Sequence, residues 1–141
     1  MPWGISYYRA PNDSVPGEDY LDACPSKVEA NLLAVIEAVR DAPPPAFSGG
    51  GKWEAMHGTM GGYYEARATG PGRTQYRLFC VLENAGKAEL SRRGFKQPQI
   101  VLINGMTKPV AELFSDADYK KNVRNLGDEH ASNFPRRIAE P

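Results

Sequence analysis

An α+β fold is what the sequence predicts, and three observations carry the expectation. Apolar residues recur at helical spacing in the first third of the chain. The middle changes to strand-forming residues on both sides of a Gly-Pro-Gly turn, and Ile100-Val101-Leu102-Ile103 is apolar without a break. A length of 141 residues suits one domain with a real hydrophobic core and is short for two.

Trp3 to Arg9 is rich in aromatic residues, and Pro11, Asn12 and Asp13 punctuate it as a short strand and turn. Ser14 to Cys24 has no decisive period. Ser26-Lys27-Val28-Glu29 has the form of a capping box, in which a serine oxygen accepts from an orphan amide and the glutamate reaches back to the cap. A helix is expected from there, because Val28, Leu32, Leu33, Val35, Ile36 and Val39 give it an apolar face, and Pro43-Pro44-Pro45 stops it. Phe47 to Gly51 reads as a linker, and Trp53 to Met56 as a turn of helix or an irregular anchor. Tyr63–Arg67 and Thr74–Leu82 are strand segments, with Gly70-Pro71-Gly72 as the hairpin loop between them. The apolar run at 100–103 predicts a central strand covered on both faces. Asp116 to Leu126 reads as a second helix. Apolar residues thin out after Gly127, so 1–128 is expected to form the domain and 129–141 a flexible tail.

Composition narrows the function classes. The 17 lysines and arginines balance 17 aspartates and glutamates, so any contact with nucleic acid has to come from local clustering. The opening Met1-Pro2-Trp3-Gly4 lacks the basic flank and apolar run of a signal peptide, and no stretch is long enough to span a membrane. A cytoplasmic location is expected. Cys24 and Cys80 lack the spacing of a disulfide framework or zinc site, and neither histidine stands at ligand spacing from another donor, so no metal and no cofactor are expected. Gly49-Gly50-Gly51-Lys52 has the outward form of a phosphate loop, but it lacks the earlier glycine and carries Trp53 where serine or threonine would bind magnesium, so it reads as a linker.

The order Tyr64-Glu65-Ala66-Arg67, Tyr76-Arg77-Leu78-Phe79, Ile100-Val101-Leu102-Ile103 and Gly105-x-x-Lys108 resembles the RelE/HigB-like toxins, in particular the phage-derived HigB-like branch. The resemblance spans about Trp3 to Asp128, and its specific part lies between residues 53 and 124. It implies a RelE-like fold: a small antiparallel sheet, amino-terminal helices on one face and a short carboxy-terminal helix. It also implies a toxin that cuts messenger RNA, commonly on the ribosome, and is held inactive by a cognate helix-turn-helix antitoxin of the HigA-like kind. The long loop from Asn84 to Pro98 and the segment after Gly127 depart from the pattern and inherit nothing from it. A ParE-like gyrase inhibitor and a catalytically silent binding module share the fold and remain alternatives.

The residues themselves suit RNA cleavage by 2′-hydroxyl attack, because that reaction builds negative charge on phosphate oxygens, which fixed cationic donors stabilise. Strand alternation puts Glu65 and Arg67 on one face, and closure of the hairpin brings Arg77 beside Arg67. Lys108, just past the third strand, is the further cation expected at that sheet end. Glu65 and His57 are candidates for proton transfer. Tyr119, Lys120 and Arg124 on the last helix and Arg92 and Arg93 in the long loop are candidate RNA contacts, while His130 is expected to face solvent.

Overall fold

The apolar run at 100–103 lies at the centre of the sheet. In the computed structural model, which describes residues 3–43 and 51–141, strand β5 (Gln99–Lys108) is paired on both sides. It runs antiparallel to β4 (Gln75–Glu83) and parallel to β1 (Gly4–Tyr8). Beyond β4 come β3 (Tyr63–Thr69) and the short β2 (Trp53–Ala55). Beyond β1 comes β6 (Ile138–Ala139), giving the six-stranded order β2-β3-β4-β5-β1-β6. The fold is α+β as expected, but the sheet is mixed rather than wholly antiparallel: β1 and β5 are joined by long excursions instead of a hairpin, which leaves a parallel pairing open to them. Trp53–Ala55, which the sequence left between helix and anchor, is an edge strand on β3.

Ile100, Val101, Leu102 and Ile103 are each 0% exposed, so alternate residues of β5 feed two separate cores. Helices α1 (Pro16–Ala23) and α2 (Ser26–Asp41) cover one face, where Leu21, Leu32 and Ile36 meet Leu78, Ile100 and Leu102. The opposite face gathers Tyr8, Phe79, Val101, Ile103 and Val123. It is covered by α3 (Lys87–Arg92), which lies within the long loop, and by a helical rod made of α4 (Asp116–Tyr119), a π turn (Lys120–Arg124) and α5 (Asn125–Ala131). The Asn104 side-chain amide donates to the Asn122 carbonyl at 3.1 Å, satisfying a backbone group within that π turn.

Two start signals fall differently from expectation. Pro25, with φ −53° and ψ 143°, takes the cap position of α2, Ser26 becomes its first helical residue, and no side chain caps it. The capping box stands instead at the start of α4, where Ser115 Oγ accepts from the Asp118 amide and the Asp118 carboxylate accepts from the Ser115 amide, both at 3.1 Å. The proline stop lies largely, and the Phe47–Gly51 linker almost wholly, outside the described residues.

The carboxy-terminal segment is not a loose tail. Ile138–Ala139 pairs antiparallel with β1, and the segment is pinned by a buried carboxylate, Glu83 at the end of β4. Arg136 Nε donates to Glu83 Oε2 at 2.9 Å, Arg93 Nη1 donates to Oε1 at 2.9 Å, and His130 Nε2, on a ring only 2% exposed, donates to Oε2 at 2.7 Å. His130 is thus buried rather than solvent-facing. Burial alone would raise the Glu83 pKa, but the hydrogen bonds from His130 and Arg136 outweigh it and hold the carboxyl at about 2.

Glu83 has its pKa depressed by folding. Its contribution is therefore complete above the unfolded value of about 4.3 and disappears as pH falls through about 2. Urea unfolding of Glu83→Gln should show a loss of about 3 kcal/mol at neutral pH, and the gap from wild type should narrow steadily from pH 4 to pH 2. A gap independent of pH would contradict the ion-pair account. A second expectation concerns Gly105, whose missing side chain makes room for the Tyr20 ring lying against the strand. The Tyr20 hydroxyl bonds to the Met106 carbonyl at 3.0 Å and lies 2.9 Å from Thr107 Oγ1. Gly105→Ala should displace that ring and cost about 2 kcal/mol in thermal or urea melts.

Candidate functional site: an arginine and glutamate cluster on the sheet

The hairpin register decides the geometry. Arg67 and Arg77 are directly opposed across β3 and β4, and both lie on the face away from α1 and α2, as Tyr63 and Phe79 at the same strand parity do. Like charges directly opposite in a sheet repel, so the pair needs a counter-charge. Glu65, two residues earlier on β3, provides it: its Oε1 accepts from Arg67 Nε at 2.7 Å and lies 4.0 Å from Arg77 Nε. Glu54 on β2, opposite Glu65, binds Arg67 Nη2 at 2.5 Å. Two guanidiniums and two carboxylates thus alternate across three strands.

Exposure is uneven within the cluster. Glu65 is 6% exposed and acts from below, whereas the Arg67 and Arg77 side chains keep 31% and 16% of their surface. Burial lowers the Arg77 pKa from its ordinary value, with Glu65 opposing the shift and Arg67 adding to it. Arg77 Nη2 also donates to the Gln75 side-chain oxygen at 2.5 Å, and Gln75 stands opposite Lys108 on β5. Arg67 and Arg77 further border a groove of about 660 Å³ that passes between the β3 edge and α2, with Lys52 and Asn31 on its walls. The arrangement can bind an anion: two forked donors are oriented by a buried carboxylate, and a third cation, Lys52, lines the same groove.

The remaining expected residues divide between this face and elsewhere. Lys108 is on the same face, but its ammonium donates to the Leu113 carbonyl, lies 3.6 Å from Asp118 and sits over the Phe114 ring, so it holds the loop before α4. Tyr119 packs edge-on against Phe79 and Phe114, and burial, then Glu65, raises its phenol pKa. His57 is exposed beyond the Tyr63 end of β3, four residues or about 13 Å along the strand from Arg67, and is not part of the cluster. Arg124 grips Asp116 through both guanidinium nitrogens and reaches Thr59, tying the rod to the turn after β2. Arg92 and Arg93 pair with Glu89, and Arg93 also with Glu83, six residues or about 20 Å from Arg77 along β4. Lys120 is exposed on the π turn.

Sequence reasoning missed Lys52, Glu54 and Gln75. Lys52 directly follows a glycine run that reads as a linker, and only the pairing of β2 with β3 brings Glu54 to Arg67. The available signal was the Lys52-Trp53-Glu54 alternation, polar on both sides of a residue 3% exposed. Among the described residues, no group of three histidine, cysteine, aspartate or glutamate side chains is placed to hold a metal ion, and no helix is long and apolar enough to cross a membrane. Comparison with protein-family models, with curated proteins and with solved structures finds no match to the chain.

If Glu65 is what lets the arginines stand together, the two sites must be energetically coupled. Glu65→Gln should destabilise by about 3 kcal/mol, and adding Arg67→Ala should restore part of that loss, with a coupling of about 1 kcal/mol or more in a double-mutant cycle. Strict additivity in urea unfolding would mean that the contact contributes nothing.

Proposed function

We propose that the chain is a metal-independent endoribonuclease and the toxin of a toxin–antitoxin pair, in which Arg67 and Arg77 clamp the scissile phosphate. The observation that carries the reading is the register-opposed arginine pair with Glu65 buried beneath it. The RelE/HigB-like resemblance supports it through the order of the elements, while the parallel β1–β5 pair departs from the antiparallel sheet that the resemblance implies. The substrate's 2′-hydroxyl gives its proton to water and attacks the adjacent phosphorus, the bond to the 5′-oxygen breaks, and that oxygen takes a proton from water, leaving a 2′,3′-cyclic phosphate and a 5′-hydroxyl. Negative charge gathers on the non-bridging oxygens, where two fixed guanidiniums act. Glu65 is a positioning residue in this scheme, Lys52 a contact to the neighbouring backbone, and Lys108 a support for the loop. Messenger RNA on the ribosome is the proposed substrate, because a bound template supplies orientation that a chain without net charge does not generate at long range. A HigA-like antitoxin is the proposed regulator.

The pairing of Arg67 with both Glu54 and Glu65 favours one second reading, a catalytically silent interaction module whose arginines are already neutralised. Induced expression in a bacterial host separates the two. Wild type should arrest growth and create new transcript ends bearing 5′-hydroxyls. Arg67→Ala and Arg77→Ala should each reduce those ends by about a hundredfold or more, as loss of one transition-state donor does. Arrest with intact transcripts would sink the nuclease and promote the interaction module or a gyrase inhibitor.

A further inference from the structure

A second concave surface lies on the face of the sheet covered by α1 and α2. It is a groove of about 680 Å³ between β1, α1 and α2, with Trp3, Ile5 and Leu33 among its apolar walls. Its rim is acidic: Glu18 and Asp22 stand one helical turn apart on α1, and Glu29 and Glu37 stand one turn either side of Leu33 on α2.

Glu18 and Asp22, like charges one turn apart on α1, repel each other mildly. Among the described residues none of the four makes a salt bridge, and the arginine that lines the groove, Arg40, pairs with Asp41 instead. They also converge on one place. Burial raises the pKa of Tyr7 at the groove wall, and Glu18, Asp22 and Glu29 raise it further, in that order. The carboxylates do not form a metal site, since no cluster of three ligating side chains is found among the described residues. An apolar floor inside an unpaired anionic rim complements a ligand that offers apolar side chains flanked by cations.

We propose that this groove docks a basic, apolar-faced peptide segment of a protein partner, with aliphatic or aromatic side chains on Trp3, Ile5 and Leu33 and lysines or arginines on the rim. The site is separate from the arginine cluster: its groove shares no lining residue with the groove beside Arg67 and Arg77, and its rim carries the opposite charge.

The test uses the full chain and a fluorescently labelled amphipathic lysine–leucine peptide, with its glutamate–leucine counterpart as control, read by anisotropy. The lysine peptide should bind and the glutamate peptide should not. The variant Glu18→Gln/Asp22→Asn/Glu29→Gln/Glu37→Gln should weaken binding by about tenfold or more at low salt, with the difference shrinking as salt is added. Neutralising the same number of carboxylates elsewhere, Asp19→Asn/Glu112→Gln/Asp128→Asn/Glu140→Gln, should leave binding within about twofold. Leu33→Lys, which places a cation on the apolar floor, should weaken binding on its own, and circular dichroism checks that each variant is folded. Equal weakening by both charge sets would reduce the effect to general attraction and overturn the proposal. So would spermidine competing as well as the peptide while Leu33→Lys binds normally, since that describes a small polycation site. Self-association of wild type that the rim variant abolishes would also overturn it, by assigning the groove to a second copy of the chain.

Discussion

The burial of β5 on both faces is the constraint on which the rest of the molecule depends. Four consecutive residues with no exposed surface cannot lie at the edge of a sheet or face water on either side. The strand therefore takes neighbours on both edges, β4 and β1, and needs cover above and below. The amino-terminal helices supply one cover. The other comes from α3, which precedes β5, and from the helical rod that follows it. Removing either layer would expose half of the same strand.

Covering a sheet twice leaves its polar residues few places to go, and the second face resolves this at its two ends. At each end a carboxylate about 6% exposed gathers arginines, Glu65 in one case and Glu83 in the other. The consequences differ because the partners differ. Around Glu83 the partners come from the end of α3, from α5 and from the segment before β6, so the group ties distant parts of the chain together and is closed off by them. Around Glu65 the cations come from adjacent strands and stand at the border of a groove, so the same chemistry remains accessible to an outside anion. Burial makes one ion-pair group a clasp, and partial exposure makes the other a candidate site.

That accessibility has a cost within the cluster itself. Arg67 is shared between Glu54 and Glu65, so any anion that reaches the cluster has to compete with a surface carboxylate for that guanidinium. Glu54 is largely exposed and its hold is correspondingly weak, whereas Glu65 is fixed beneath the strands. The exposed carboxylate holds Arg67 from the solvent side, and the buried one fixes where the arginines point.

What the sequence determined by itself was local. The helix through Val28 to Val39, the Gly70-Pro71-Gly72 hairpin and the doubly buried run at 100–103 were legible because each is written in period and turn chemistry over a few neighbouring residues. The facing of Arg67 and Arg77 was legible too, because a short hairpin transmits register directly. What only the tertiary structure decided was non-local: the parallel β1–β5 pair, the arrival of Glu54 and Lys52 at the arginines, the separation of His57 and Arg93 from them, and the anchoring of residues 129–141. Ion pairs between residues as distant as Glu83 and Arg136 leave no periodic trace in a sequence. A polar carboxy-terminal segment therefore reads as a tail until the buried charge that it neutralises is seen.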